Sequence, residues 1–260
     1  MKTLLKRLDV YAVNYCNFHC ANCLAFCRQQ KIHAQFPAKC YIDSLKHLQT
    51  YADIQLLHIV GGEPTLHSNL EDFVIQIREI LSPNTQLEVI SNGWWMPDED
   101  KFGHIWSKID KLGQGIHPEL LNRLSLDDIR ACMKRIRNKY HIITDLYIDE
   151  TFSPLCFTDI SNNGITKKCR FGRCTILLNN GNMYRCGAIT CIPTTMTSLS
   201  FNKILQNQEY NVYTGNPTTL DKWLHTTPPY CTYCTGDTIK VPHFGYNTEI
   251  IQEYKYPEDD

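Results

Sequence analysis

The 260-residue chain contains no run of about eighteen apolar residues, so no segment reads as a membrane-spanning helix. It has no charge excess of either sign. Its 26 Lys and Arg against 27 Asp and Glu leave a net charge of −1, which excludes the basic field of a nucleic-acid binder. It has no internal repeat and no low-complexity tract. The basic start Met1-Lys2-Thr3-Leu4-Leu5-Lys6 is broken by Arg7-Leu8-Asp9 before an apolar stretch can form, so no signal peptide is read. Cysteine is the opposite case: there are 13, an odd number in tight clusters. Without a secretory signal such clusters point to metal rather than to disulfides, in a reducing compartment, here the cytosol.

Hydrophobic periodicity predicts alternating strands and helices through the first part of the chain. Strands are expected at 8–13, 55–60, 86–90, 111–116 and 142–148, and helices at 42–51, 70–81, 102–109 and 126–140. The clearest helix repeats apolar residues at Leu70, Phe73, Val74, Ile77, Ile80 and Leu81. Such alternation implies a parallel sheet with right-handed crossovers, a full or partial α/β barrel whose site gathers at the C-terminal strand ends. The Cys16 loop, Gly61-Gly62-Glu63 and Ser91-Asn92 all fall at such ends. After Thr151 turns take over (Asn179-Asn180-Gly181, Gly215-Asn216-Pro217, Pro228-Pro229) and seven of the 13 cysteines lie from Cys156 onward. This reads as a small region held by metal more than by core.

Cys16, Cys20 and Cys23 form a C-x3-C-x2-C triplet on the loop after the first strand. Three thiolates there suit three corners of a cubane cluster with one iron left open. A zinc knuckle completed by Cys27 or His33 is the alternative, although zinc favours four ligands and paired C-x2-C spacing.

The triplet, followed by Gly61-Gly62-Glu63-Pro64 after the second strand, resembles the radical S-adenosylmethionine superfamily. The resemblance implies a partial (β/α)6 barrel, a [4Fe–4S] cluster on Cys16, Cys20 and Cys23, and S-adenosylmethionine chelated at the open iron. Gly61, Gly62 and Glu63 are then expected at the methionine ammonium, Ser91 and Asn92 at the ribose, and Gln114 at the cofactor as well. Glycine lets the backbone come close, and a carboxylate suits an ammonium. Many members place an aromatic just before the third cysteine to cover the adenine; here it is Asn22, which leaves Phe18 or Phe26 for that role.

The second cluster of cysteines pairs Cys169 and Cys186, on either side of a hairpin turning at Gly181, with the distal Cys231-Thr232-Tyr233-Cys234. It resembles the twitch domain, the shortened form of the SPASM extension. This implies one auxiliary [4Fe–4S] cluster on Cys169, Cys186, Cys231 and Cys234, with Cys174 as the alternative to Cys169. A structural zinc ribbon is the other reading. The implied domains are 1–155 for the barrel, 156–240 for the auxiliary-cluster region and 241–260 for a polar tail. Asp149, Glu150 and Arg173 are the catalytic candidates, the carboxylates for lying at the end of the last strand and the arginine for lying beside the second cluster. Arg170 and Arg185 share that neighbourhood, Trp94-Trp95 suit either a pocket or the core, Cys132 reads as a buried apolar residue, and His67 as solvated.

The expected activity is reductive cleavage of S-adenosylmethionine to a 5′-deoxyadenosyl radical that abstracts a substrate hydrogen atom. The substrate is expected to be a small molecule, by analogy with the twitch-containing dehydrogenase of an aminocyclitol, and an external one-electron donor of flavodoxin or ferredoxin type is implied. The alternatives are a radical maturase acting on a peptide and a non-catalytic iron–sulfur carrier. The barrel and Gly61-Gly62-Glu63-Pro64 speak against the carrier, which needs no cofactor pocket.

Overall fold

A computed structural model describes residues 1–18, 20, 23, 25, 27, 30, 32–147, 151–152, 175–187, 190, 208–233 and 241–242. Cys156, Cys169, Cys174, Cys191, Cys234, Asp149, Glu150, Arg170 and Arg173 lie outside these residues.

The elements follow the hydrophobic pattern closely. Strand β1 (Thr3–Leu5) precedes β2 (Leu8–Val13), whose odd and even side chains are both buried. Then come α1 (Lys39–Tyr51), β3 (Ala52–Ile54), β4 (Leu56–Gly61), α2 (Leu70–Ile80) and β5 (Gln86–Ser91). They are followed by α3 (Glu99–Trp106), β6 (Lys111–Gly115), a one-turn α4 (Pro118–Leu121), α5 (Leu126–Tyr140) and β7 (Ile143–Tyr147). Helix α5 starts where Ser125 accepts the Asp128 N–H and Asp128 accepts the Ser125 N–H, a reciprocal capping box.

Strands β2, β4, β5, β6 and β7 lie side by side in that order, all parallel. Each crossover advances one place in the same direction, and consecutive helices neighbour one another. A right-handed connection that always steps the same way puts every helix on one face, as in an α/β barrel rather than a doubly wound sheet. That face carries Leu8, Val10, Ala12, Leu57, Ile59, Leu87, Val89 and Leu112, which form the core with Leu45, Phe73, Ile77, Ile129 and Ile136 of the helices.

The opposite face carries charge. Arg7 grips Asp9 through two bonds of 2.7 and 2.8 Å. The His58 ring stands between Asp9 (3.3 Å) and Glu88 (2.9 Å), and Lys111 stands between Glu88 (3.4 Å) and Asp145 (2.7 Å). Tyr147 donates its hydroxyl proton to Glu88 at 3.0 Å. The strand register produces this row, because Asp9 lies opposite His58, His58 opposite Glu88, and Glu88 opposite Lys111.

The cysteine-rich half is joined to the same sheet. Strands β9 (Ile176–Leu177) and β10 (Asn182–Tyr184) form the expected hairpin, turning at Gly181 with φ of 80°, and β9 adds to the open edge of β2 in parallel. Strand β11 (Tyr210–Asn211) extends the sheet beyond β10. Two further two-stranded sheets pair β1 with β3, and β8 (Thr151–Phe152) with β12 (Val241–Pro242). Gly215-Asn216-Pro217, read from the sequence as a turn, is instead a helix start. Asn216 caps α6 (Pro217–His225) by accepting the Thr219 N–H, and Pro217 occupies the first position, where its missing N–H costs nothing. This segment docks on the barrel half through Tyr51 Oη to the Val212 carbonyl at 2.8 Å, Thr3 Oγ1 to the Pro217 carbonyl at 2.8 Å, and a Ser44–Tyr213 hydroxyl contact at 2.9 Å. No helix among the described residues is long and apolar enough to cross a membrane.

Candidate cluster and cofactor site

Three strand ends meet above the sheet. The loop after β2 carries Cys16, Cys20 and Cys23; β4 ends in Gly61-Gly62-Glu63-Pro64; β5 ends in Ser91-Asn92. The glycines are needed because the two loops touch. A Cβ on Gly61, whose φ is 136°, would lie 1.9 Å from the Val13 carbonyl oxygen, and one on Gly62 would lie 1.8 Å from that of Tyr15. In their place the Gly62 N–H donates to Val13 and the Glu63 N–H to Tyr15, both at 3.0 Å.

Glu63 is fully buried and its carboxylate is occupied by the protein. Oε1 accepts from the Thr65 N–H (3.0 Å), the Thr65 hydroxyl (2.6 Å) and the Ser91 hydroxyl (2.8 Å), and Oε2 accepts from the Asn92 N–H at 2.6 Å. Burial pushes its pKa up, and these donors work against that rise. The side chain expected at an ammonium is thus also the strut joining the ends of β4 and β5.

Asn92 continues the connection. Its Nδ2 donates to Asn17 Oδ1 at 2.9 Å and to Cys16 Sγ at 3.5 Å, and its Oδ1 accepts the Trp94 N–H at 2.9 Å. Cys16 Sγ also receives the Phe18 N–H at 3.4 Å, and Cys20 Sγ lies 3.4 Å from Nδ1 of His117, in the loop after β6. Burial pushes the Cys16 thiol up to about 11, so its thiolate needs a cation as well as these donors. Phe18 is buried between Trp94 and His117, edge-on to both rings at 5.6 Å.

The remaining predicted residues divide. Gln114 lies opposite Ser91 on β6, fully buried; its Nε2 donates to the Gly115 carbonyl at 2.6 Å, and its Oε1 meets no donor among the described residues. Asn17 Nδ2 is likewise buried without a partner there. Trp94 and Trp95 have separate fates. Trp95 packs into the core against Trp106 at 4.9 Å, whereas Trp94 is 40% exposed beneath the Arg123 guanidinium, 3.5 Å from its ring centre. His67 is buried rather than solvated, because the turn after Glu63 folds it onto α2, where Nδ1 accepts the Asn69 N–H at 3.1 Å and its ring tilts against Phe73. Cys132 is buried in α5, as expected of an apolar residue.

In the second cluster, Cys186 and Cys231 are the described members, and both act electrostatically on the buried Tyr230. Tyr230 is 1% exposed, and burial pushes its pKa up while the Arg185 backbone and guanidinium work against that rise. Arg185 belongs to the same neighbourhood. Its Nη1 donates to the carbonyls of Trp223, Leu224 and Thr226, capping the end of α6. His117, Asn17 and Thr65 escaped the sequence reading because they belong to no spaced motif; only contact between loops singles them out.

Among the described residues no three His, Cys, Asp or Glu side chains close on one metal-ion position. A cubane does not ask for that, since each thiolate binds a separate iron. What the structure offers is suited to such a cluster: two N–H groups already directed at Cys16 Sγ, a ring nitrogen of His117 beside Cys20 Sγ, a backbone cradle that only glycine permits, and orphaned buried polar atoms at Asn17 and Gln114 beside it.

Residues 6–110 match the family of 4Fe-4S single cluster domains. A GTP 3′,8-cyclase of Synechococcus elongatus is 33% identical over 94 residues, which span 35% of this chain and 28% of the cyclase. The fold is similar to that of BtrN solved with AdoMet and 2-DOIA (TM-score 0.54, 17% identity), covering 92% of this chain and 96% of BtrN. An open conformation of BtrN matches with a TM-score of 0.52 and 16% identity, over 95% of this chain and the whole of that one.

Proposed function

We propose, from the premise that this chain belongs to the radical S-adenosylmethionine superfamily, that it cleaves S-adenosylmethionine reductively and uses the resulting 5′-deoxyadenosyl radical to oxidise or otherwise modify a small molecule. The observation that carries this reading is the Glu63 strut. One buried carboxylate ties the end of β4 to that of β5, and Asn92 ties β5 to the cysteine loop, so the three strand ends form one rigid site.

In this reading Cys16, Cys20 and Cys23 hold the [4Fe–4S] cluster, and Gly61, Gly62, Glu63, Ser91, Asn92 and Gln114 line the place of the S-adenosylmethionine. When bound, the cluster would supply the one electron that reductive cleavage of the sulfonium needs. The chain's own residues orient and shield. Gly61 and Gly62 bring backbone against the cysteine loop, Gln114 Oε1 offers a buried acceptor to a polar guest, and Phe18 packs edge-on against Trp94 beside the loop.

The auxiliary-cluster reading assigns Cys169 or Cys174, with Cys186, Cys231 and Cys234, to a second [4Fe–4S] cluster in residues 156–240, next to the barrel of 1–155 and ahead of the tail 241–260. It is supported by Cys186 and Cys231 both acting electrostatically on the buried Tyr230. A small-molecule substrate is favoured by the near full-length fold match to BtrN, which was crystallised with 2-DOIA. Asp149, Glu150 and Arg173 remain the candidates for contact with the substrate. A flavodoxin- or ferredoxin-type protein is proposed as the electron donor.

Anaerobic reconstitution tests the reading. The expected result is about eight irons per chain for two cubanes, 5′-deoxyadenosine formed on reduction with S-adenosylmethionine, and no product from Cys23→Ala. Iron without cleavage would turn the protein into an electron carrier, and bound zinc would remove both readings.

A further inference from the structure

Asn92 stands where the family resemblance places a ribose contact, yet its amide is spent elsewhere. One face of the amide is fixed by the Trp94 N–H on Oδ1, and the backbone N–H is fixed by the buried carboxylate of Glu63. What these contacts leave is Nδ2, and it is directed at Cys16 Sγ and at Asn17 Oδ1, the residue next to that cysteine. At the neighbouring strand end His117 approaches Cys20 in the same way, Nδ1 lying 3.4 Å from Sγ. A thiolate in that position selects the tautomer with the proton on Nδ1, because sulfur then accepts it. Phe18 holds the His117 ring edge-on from the side.

We propose that Asn92 and His117 are positioning residues of the cluster thiolates. The amide of Asn92 donates to Cys16 and the imidazole of His117 to Cys20, and together they set the reduction potential of the cluster, with Glu63 holding Asn92 in place. This deepens the function proposed above and rests on the cluster assignment made there. The physical ground is charge. Reduction adds an electron to a cluster whose thiolates are already negative, and N–H donors on those sulfurs stabilise the reduced form more than the oxidised one. Removing a donor therefore makes the cluster harder to reduce. The arrangement also gives Glu63 a function that its burial demands: a carboxylate that accepts four internal donors is held for what it orients.

The test is a redox titration of the reconstituted wild type, Asn92→Leu, His117→Phe and His117→Gln, followed by the electron paramagnetic resonance of the reduced cluster. Asn92→Leu keeps approximate volume and loses the donor; His117→Phe keeps the ring against Phe18 and loses the donor; His117→Gln restores an N–H. Expected are midpoint shifts to more negative potential for Asn92→Leu and His117→Phe, at iron contents equal to wild type, with His117→Gln returning part of the way. Should Asn92→Leu fail to fold, as judged by circular dichroism, Asn92→Ala and His117→Phe make the same comparison. Unchanged potentials at full iron content overturn the proposal while leaving the enzyme reading intact. A wild type that loads no cluster overturns the enzyme reading itself.

Discussion

Turned toward the helices, the parallel sheet shows Leu8, Val10, Leu57, Ile59, Leu87, Val89 and Leu112, all fully buried; turned the other way, the same strands show Asp9, His58, Glu88, Lys111 and Asp145. The two faces are one residue out of phase and differ completely in chemistry. On the first, each side chain gains from leaving water by itself, so its partner's identity hardly matters. On the second, each charge is tolerable only because the neighbouring strand supplies its opposite, at 3.4 Å or less. The lesson is that a barrel of this kind has an interchangeable outside and a specified inside. An isolated buried charge costs several kcal/mol, whereas an alternating row of them is self-consistent only in one register.

Breaking the charged face should have the largest effect. Glu88 is fully buried between His58, Lys111 and Tyr147, so Glu88→Ala takes one of two carboxylate partners from each of His58 and Lys111 and should cost about 3–5 kcal/mol. Leu57→Ala on the apolar face should cost a comparable ~2–5 kcal/mol, by the different route of a cavity. Urea unfolding separates the routes, because replacing both His58 and Glu88 by Leu should recover most of the loss, and no second change nearby should rescue Leu57→Ala as fully. If the double substitution is no better than Glu88→Ala, the row is not held by charge balance.

A smaller effect comes from pH. Burial opposes the charged forms of Asp9 and Glu88, but His58, with Arg7 on Asp9 and Lys111 on Glu88, outweighs it and leaves both carboxyl groups below their ordinary values. Burial likewise opposes the imidazolium of His58, yet Asp9 and Glu88 raise its pKa above 6.5. A lowered carboxyl pKa contributes stability above its unfolded value, and that contribution is lost as pH falls through the folded value. A raised histidine pKa contributes below its unfolded value and is lost as pH rises through the folded one. Chemical-denaturation stability should thus be highest between the ordinary carboxylate and histidine ranges, about 4.5 to 6.5, and decline on both sides. Flattening of the alkaline decline in His58→Leu would tie that limb to this ring; an unchanged slope would assign it elsewhere.

The smallest effect sharpens the contrast. Arg130 and Asp127 on α5 form a similar ion pair at 3.3 Å, but with side chains 55% and 92% exposed. Asp127→Asn should alter stability by less than about 0.5 kcal/mol. A larger change in a thermal melt would mean that burial is not what gives the inner row its weight.

The cysteine triplet, the glycines of the second loop and the strand–helix alternation were legible in the chain because each depends on local spacing: thiols on one loop, a close backbone approach, a period of two or of 3.6 residues. The split of Trp94 from Trp95, the burial of His67 and the helix at Pro217–His225 were not legible. Adjacent aromatics have no period, and Gly215-Asn216-Pro217 serves a turn and a helix start equally well.

Local order thus settled which residues lie in which element and which loops carry sulfur. Only tertiary packing decided that Asp9, His58, Glu88 and Lys111 form one row, that the hairpin of the cysteine-rich half would join the edge of β2, and that Asn92 and His117 would reach the sulfurs. The reason is range. Propensity and periodicity act within a few residues, whereas these contacts join groups that meet only when strands far apart in the chain come into register.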